Sequence, residues 1–324
     1  MLSGDQGDCD VVLTHAPIVA DFGVRCGTVH AEDATLVRVT TTPASDHWVL
    51  TLSCPDRPGI VRAVAGAIAD HGGNITESKQ FGDPDTGLFF MRVQGETTIA
   101  RDTLLATLTP LAEQFEWTWN LDTVGRRIPT IIMVSKAAHA LNDLLFQQRA
   151  ARLPIEVVAV VGNHNDLADL ATFYGVPFHH IPVTADTKPQ AEAELLALVQ
   201  STGAELVVLA RYMQVLSDTL CRALEGRVIN IHHSFLPSFK GARPYHRAHD
   251  RGVKLIGATS HYVTADLDEG PIIEQDIDRV DHEMSVEEFI ALGQDVERRV
   301  LSRAVAWHAQ HRVLMNGHKT VVFR

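Results

Sequence analysis

Two different rhythms of apolar and polar positions follow each other along the chain after residue 46. Between residues 48 and 122, WVLTLSC, NITESKQFG, LFFMRVQG and EWTWNLD have the pattern of four strands. The stretches 59–73 and 100–115 carry apolar residues at helical spacing, and the first is bounded by a DRPG turn and a Gly-Gly pair. The order β-α-β-β-α-β over about 75 residues predicts a split βαβ arrangement.

From residue 129 onward, short apolar runs alternate with amphipathic stretches. The strand candidates are PTIIMVS, IEVVAVVG, PFHHIPV, ELVVLAR and VINIHHS, with helical patterns between them. A long helix is predicted over 285–312, and the terminal TVVFR predicts an edge strand. Strands that alternate with helices predict an α/β, Rossmann-like domain whose mostly parallel sheet is covered on both faces.

The chain has 324 residues, which is more than a domain with a single hydrophobic core usually contains, so two domains are expected. Residues 1–46 show weak periodicity and many small or polar side chains, and we interpret them as an N-terminal extension, a tail or partly ordered arm. Residues 47–125 are predicted to form the first domain and residues 129–324 the second.

Composition narrows the classes of function. The net charge of −12 argues against non-specific binding to nucleic acid or to an anionic membrane. The four cysteines include no CxxC pair, which is typical of reduced thiols in a cytoplasmic protein. The sequence has no run of about 18 apolar residues and no signal-peptide order, so neither a membrane span nor export is predicted.

A first polar cluster, NIHHSFLPSFKGARPYHRAHD at 230–250, begins where an apolar strand should end. Ligands of open α/β sheets bind beyond the carboxyl ends of the strands. The two-residue period of a strand turns Asn230, His232 and Ser234 to one side. An amide can donate to a developing oxyanion, and a histidine can transfer a proton near neutral pH. On spacing alone, a structural role for Asn230 and His232 is an equally good interpretation.

A second polar cluster, GATSHYVTADLDEGPII, spans residues 257–273 and reads as a strand followed by a tight acidic loop. Asp266, Asp268 and Glu269 cannot all be buried and charged without partners. One of them beside a histidine is a candidate general base, and a solvated capping turn is the alternative. None of the 17 histidines has the spacing of a zinc motif, so no metal is expected.

In this order and spacing, the two clusters resemble the signature of the folate-dependent formyl-transfer enzymes over about residues 129–320. The matching elements are the Asn-x-His of the first cluster and the Asp-x-Asp-x-Gly of the second. The resemblance implies that Asn230, His232 and Asp268 are catalytic and that His261 is a further active-site residue. It also implies a folate substrate and no cofactor.

The segment ARYMQVLS, at 210–217, resembles the part of these enzymes whose backbone holds the pterin ring of the folate. The matching substrate-binding positions are Met213, Gln214, Val215 and Leu216. Because backbone recognition tolerates different side chains, a buried helical turn remains the alternative for this segment.

The loop after the first strand of the second domain bears on the choice between transferase and hydrolase. In the glycinamide ribonucleotide transferases of this family, a glycine-rich loop at this place cradles the phosphate of the acceptor. Here the sequence reads MVSKAAHALNDLL, with no glycine from Ser135 to Leu145. The resemblance therefore implies that this chain lacks the binding site for the phosphate of an acceptor and that water is the nucleophile.

Residues 48–122 resemble an ACT domain, a ferredoxin-like regulatory module that often binds amino acids, through CPDRPGIV and GGNITES. An ACT domain ahead of this formyl-transfer domain resembles the formyltetrahydrofolate deformylases. The implied reaction is hydrolysis of 10-formyltetrahydrofolate to tetrahydrofolate and formate, which supplies formate for purine biosynthesis and balances the folate pool. A phosphoribosylglycinamide formyltransferase-like enzyme and a non-catalytic amino-acid sensor are the alternatives.

The ACT resemblance also implies partners. An amino-acid effector is the first, and Asp56 and Gly59 in the first turn are the candidates to contact it. Both residues could equally serve only to start the helix. ACT sheets commonly pair with one another, so a homo-oligomer, either a tetramer or a dimer, is expected.

Overall fold

The computed structural model describes residues 46–237 and 243–324, and the predicted extension lies outside these ranges except for its last residue. The N-terminal part is an antiparallel sheet of order β2-β3-β1-β4 packed with two helices, and it confirms the ferredoxin-like βαββαβ prediction. Its elements are β1 (Asp46–Pro55), α1 (Ile60–Ala69), β2 (Asn74–Asp83), β3 (Leu88–Thr97), α2 (Arg101–Phe115) and β4 (Thr118–Thr123).

Both helices of this part bury one apolar face. In α1 the buried residues Ile60, Val64 and Ile68 recur every four positions, as expected for a helix that covers a sheet. They share a core with Leu50 of β1, so the sheet and the helices are held by one apolar cluster. Gly59 precedes α1 with φ 102°, a left-handed conformation that favours glycine.

The second part contains a seven-stranded sheet of order β11-β10-β9-β8-β5-β6-β7. Its strands are β5 (Ile128–Val134), β6 (Ile155–Gly162), β7 (Phe178–His180), β8 (Leu206–Leu209), β9 (Val228–His232), β10 (Leu255–Tyr262) and β11 (Ile272–Arg279). Its helices are α3 (His139–Arg149), α4 (Ala168–Phe173), α5 (Lys188–Thr202), α6 (Asp218–Ala223), α7 (Pro244–Arg251) and α8 (Val286–Ala309). Five strands that are neighbours in the sheet pair in parallel, in the order β9-β8-β5-β6-β7. The two remaining strands, β10 and β11, are antiparallel additions at one edge.

The large sheet is covered on both faces, as the continuous apolar runs predict. Along β5, Ile132 and Val134 belong to the core on the side of α3 and α8. Ile131 and Met133, the alternate residues, belong to the core on the side of α5 and α6. This period of two is the signature of a strand buried on both faces.

The C-terminal residues form a separate hairpin of β12 (Val313–Asn316) and β13 (Lys319–Val322), not the predicted edge strand. The physical reason is the two-residue turn at its tip, Gly317-His318, where Gly317 in the first turn position has φ 61°, a left-handed conformation that favours glycine. Leu314 and Phe323 of this segment pack against Phe90 of β3. The last residues of the chain therefore contact the N-terminal sheet.

A buried arginine joins the two parts. Arg92 of β3 is 1% exposed, and its guanidinium donates to the carbonyl oxygens of Gln310 and His311 at 3.0–3.2 Å. A cation at this position suits the carboxyl end of α8, where helix carbonyls lack partners. Across the residues described, no helix is long and apolar enough to cross a membrane.

Candidate functional site

The two polar clusters of the sequence meet on the neighbouring strands β9 and β10. The antiparallel register places Asn230 opposite His261 and His232 opposite Thr259. Because side chains of directly opposed residues share a face of the sheet, Asn230 and His261 come together. The Asn230 amide Nδ2 lies 3.3 Å from His261 Nε2.

Asp268 completes the group from the loop after β10. Its Oδ2 lies 3.2 Å from His232 Nδ1, and its Oδ1 lies 3.7 Å from His261 Nε2. The residue has φ 57°, a left-handed conformation that Asp tolerates better than most residues. The loop therefore bends so that one carboxylate faces two imidazoles.

Electrostatics keeps this carboxylate ionised. Hydrogen bonds from His232 and then His261 hold the pKa of Asp268 well below its usual range, although partial burial acts in the opposite direction. His261 Nδ1 lies 2.8 Å from the carbonyl oxygen of Tyr262, to which it donates.

Two neighbouring residues fix the ring of His232. Asp268 binds its Nδ1, and its ring stacks on that of His233 with centroids 4.7 Å apart. The other ring nitrogen, Nε2, is buried and has no hydrogen-bond partner among the residues that the structure describes. Because an unsatisfied buried polar atom is costly, a water or a substrate is the natural partner for this nitrogen.

These side chains line a cavity of about 440 Å³, which is within the range of small-molecule sites. The predicted folate-binding residues also line it, and they are Met213, Gln214, Val215 and Leu216. This segment is irregular and partly exposed, with Met213 61% exposed, so the alternative of a buried helical turn is wrong. Its backbone is anchored where the Met213 amide donates to Ser135 Oγ at 3.0 Å.

The predicted effector residues lie elsewhere, in the turn between β1 and α1. The amide of Asp56 donates to the carbonyl oxygen of Gly87 at 2.8 Å, and its side chain is exposed. Gly59 supplies the left-handed residue at the start of α1. The helix-start interpretation therefore describes Gly59, whereas Asp56 contacts the turn between β2 and β3. The contact of either residue with an effector stays a prediction.

A second carboxylate that the sequence analysis overlooked lies beside the cavity. Glu297 of α8 is 0% exposed, and it contacts His139, Arg211 and Tyr245. Its position was detectable, because Glu297 interrupts the otherwise apolar face of α8 that contains Phe289, Gly293 and Val300. Its partners come from distant parts of the chain, so no local pattern indicated them.

Metal ligation has no evident place in the described part of the chain. No group of three or more His, Cys, Asp or Glu side chains among residues 46–237 and 243–324 is arranged to hold a metal ion.

Comparison with known proteins matches both parts of the chain. The family model described as formyl transferase matches residues 128–305, and the ACT domain model matches residues 48–103. The formyltetrahydrofolate deformylase of Corynebacterium sp. (strain P-1) is 52% identical over 279 residues, which is 85% of this chain and 98% of the relative. That of Bacillus subtilis (strain 168) is 45% identical, over 86% of this chain and 94% of the relative.

Solved structures separate two related groups. A formyltetrahydrofolate deformylase from Burkholderia mallei superposes with a TM-score of 0.84 at 50% identity, over 86% of this chain and 100% of that one. Glycinamide ribonucleotide transformylase 1 from Symbiobacterium toebii reaches 0.59 at 30% identity, over 63% of this chain and 98% of that one. The fold predictions are thereby confirmed, and the chain belongs to the formyltetrahydrofolate deformylase family, with an ACT domain ahead of a formyl transferase domain.

Proposed function

We propose that the protein hydrolyses 10-formyltetrahydrofolate to tetrahydrofolate and formate, and that Asn230, His232 and Asp268 carry out the reaction. The family gives the reaction, since the relatives that match most of the chain are formyltetrahydrofolate deformylases. The observation that carries the residue roles is the contact of Asp268 with His232 at the wall of one cavity. The formate would serve purine biosynthesis, and the released folate would return to the one-carbon pool.

In the proposed mechanism, ionised Asp268 and His232 take a proton from a water molecule. The resulting hydroxide attacks the formyl carbon on N10, and the carbonyl oxygen becomes an oxyanion. The Asn230 amide and protonated His232 donate to this oxyanion, and one such donor typically lowers the barrier by about 2.7–4 kcal/mol. Transfer of a proton to N10 then breaks the C–N bond and releases both products.

His261 would orient the other groups instead of reacting. Its Nδ1 is fixed by the Tyr262 carbonyl, and its Nε2 faces both the Asn230 amide and the Asp268 carboxylate. These contacts place the ring of His261 between the amide and the carboxylate, which suits a positioning role.

The pterin ring would bind along the backbone of residues 213–216. Support comes from the irregular course of this segment at the cavity wall, which leaves peptide groups outside any helix or strand. The amide of Met213 already donates to Ser135, so the remaining peptide groups are the candidates for the ring.

A formate assay without an added acceptor tests the function. Purified protein should release formate from 10-formyltetrahydrofolate in water alone, and the Asp268→Asn variant should not. Release that requires glycinamide ribonucleotide would identify a transferase instead. No release under either condition would favour an amino-acid sensor with an inactive second domain.

For the ACT domain, we propose amino-acid binding near Asp56 and Gly59 and assembly into a homo-oligomer, either a tetramer or a dimer. Support for assembly comes from the sheet, since β2 and β4 are edge strands that could pair with another copy. Sedimentation velocity measures the assembly, and calorimetric titration with candidate amino acids measures the binding. A monomer at all concentrations would contradict the assembly.

A further inference from the structure

A second cavity, of about 460 Å³, lies between the ACT domain and the formyl transferase domain. Its lining comes from β3, from the linker after β4, from the segment before β6 and from the end of α8 onward. Among the described residues that line it, every charged or titratable side chain is basic: Arg92, Arg127, Arg152, Arg312 and His311. Because the chain as a whole has a net charge of −12, this cavity reverses the sign of its surroundings. Its volume is within the range of small-molecule sites.

This basic cavity is separate from the catalytic cavity. Arg127 directly precedes β5 and Arg152 precedes β6, and these two neighbouring strands run in parallel. Both arginines therefore lie at the amino ends of the strands, whereas His232 ends β9 at the opposite, carboxyl edge of the sheet. The candidate effector residues Asp56 and Gly59 do not line the basic cavity either. A ligand there would occupy a site that neither the reaction nor the amino-acid proposal uses.

Within residues 46–237 and 243–324, the four guanidiniums of the basic cavity have one carboxylate partner, Glu77. Arg92 Nη1 binds its Oε2, and Arg312 Nη1 lies 3.6 Å from its Oε1. Burial, and then the charge of Arg312, lower the pKa of Arg92, as expected for two like charges held close together. Arg127 and Arg152 are exposed and bind no carboxylate in the described part of the chain. The cavity therefore has positive charge that the protein itself leaves unbalanced.

Guanidinium groups bind phosphate and carboxylate oxygens through paired N–H donors, and these charge-assisted hydrogen bonds are stronger than neutral ones. We propose that the basic cavity binds a small molecule with two or more negative charges, carried by phosphate or carboxylate groups, and that this anion bridges the two domains. Arg127 and Arg152 are its main contacts in the linker and the formyl transferase domain, and Gln94 of β3 offers a side-chain amide from the ACT domain. The site does not depend on the proposed hydrolysis.

Calorimetric titration of the full chain with inorganic pyrophosphate, and separately with citrate, tests the site in chloride buffer of equal ionic strength. At least one of the two anions should bind with a Kd of about 1 mM or tighter. Binding of pyrophosphate alone would identify phosphate as the ligand chemistry, and binding of citrate alone would identify carboxylate. The anion that binds should also raise the melting temperature, because a ligand of the folded state stabilises it. Absence of saturable binding by both anions would overturn the proposal.

Two double variants locate the bound anion. Arg127→Gln with Arg152→Gln should weaken binding at least about tenfold, because it removes two charged donors from the cavity. Both side chains are exposed, so this variant should fold. Arg222→Gln with Arg298→Gln removes the same charge from arginines that do not line the cavity, and it should bind the anion as the unchanged protein does.

Equal weakening in both double variants would show attraction by net charge alone and would overturn the proposal. Unchanged affinity in the Arg127→Gln and Arg152→Gln double variant would do the same. None of these measurements depends on turnover, so a protein that releases no formate would contradict the proposed hydrolysis and leave the anion site standing.

Discussion

Asp268 and Glu297 are two carboxylates of the same domain, yet their surroundings differ in one decisive respect. Asp268 lies at the cavity wall, and the imidazole that it binds has a second nitrogen without a partner among the described residues. Glu297 is fully enclosed, and both of its oxygens are bound by protein donors. The first arrangement is open toward a ligand and the second is closed.

The difference teaches how a lowered pKa should be interpreted. Neighbouring groups lower the pKa of both carboxylates, so both are ionised at neutral pH. A shifted pKa therefore marks a charged network, but the presence of an unsatisfied neighbour distinguishes a site of reaction from a structural network. We expect substitutions at Asp268 to affect rate and substitutions at Glu297 to affect stability.

The largest effect is expected for Asp268→Asn. Asn tolerates the left-handed backbone of position 268, so the loop should keep its course. Loss of the charge that serves His232 should lower kcat by about 10³-fold, within the range for acid–base groups. Steady-state formate release measures this, together with the denaturant midpoint as a control for folding. A variant that retains most of its turnover would refute the catalytic role of Asp268.

The next effect is a loss of stability in Glu297→Gln. Removing one partner of a buried ion pair leaves Arg211 without its counter-charge, which typically costs about 3–5 kcal/mol. Urea unfolding in chloride buffer gives the free energy of unfolding. The exposed pair of Arg222 and Asp218 offers a matched comparison, and Asp218→Asn should cost less than about 1 kcal/mol. Equal losses of unfolding free energy in Glu297→Gln and Asp218→Asn would contradict the expected difference between a buried and an exposed ion pair.

Acid should remove the contribution of Glu297. Its folded pKa lies below the ordinary value of 4.5, so the ionised carboxylate stabilises the fold above about pH 4.5 and this contribution is lost as the pH falls through the lowered pKa. Stability of the unchanged protein should therefore fall more steeply below that pH than stability of Glu297→Gln, by up to about 1.4 kcal/mol per pH unit. Urea unfolding from about pH 6 to pH 3 measures both slopes, and parallel curves would disprove the prediction.

The smallest effects come from two helical glycines with opposite surroundings. A Cβ at Gly66 in α1 would meet nothing within 4 Å, so Gly66→Ala should stabilise by about 0.5–1 kcal/mol through helix propensity. Gly293→Ala should instead destabilise by about 1–3 kcal/mol, because the methyl group collides with the Tyr245 ring. Thermal unfolding compares the two variants. Stabilisation by both would show that Tyr245 moves freely away from α8.

Local pattern predicted those features of the protein that depend on neighbours in sequence. The period of two along the end of β9 placed Asn230 and His232 on one side, and helical periodicity located α1 and α2. The C-terminal hairpin was missed although Gly317, the first of its two turn residues, is a usual turn signal. Here the error was to overlook an available signal.

Other features depend on contacts between distant segments, and local pattern could not supply them. The proximity of Asp268 to His232 followed only from the family resemblance, since 36 positions separate them in the sequence. The network around Glu297 joins α3, α7, α8 and Arg211, which follows β8, so no window of sequence contains it. The presence of a carboxylate on an apolar helix face was predictable, but its partners were not.

Arg92 binds the end of α8, and the terminal hairpin packs on Phe90. A cut of the chain near residue 125 that separated the two domains would break both contacts. Separating the two domains would remove the carbonyl acceptors that the end of α8 offers to Arg92, leaving Glu77 as its partner, and would expose the Phe90 side chain on the small sheet. The ACT domain is therefore attached to the second domain by buried contacts, and these include the end of α8, the helix that carries Glu297.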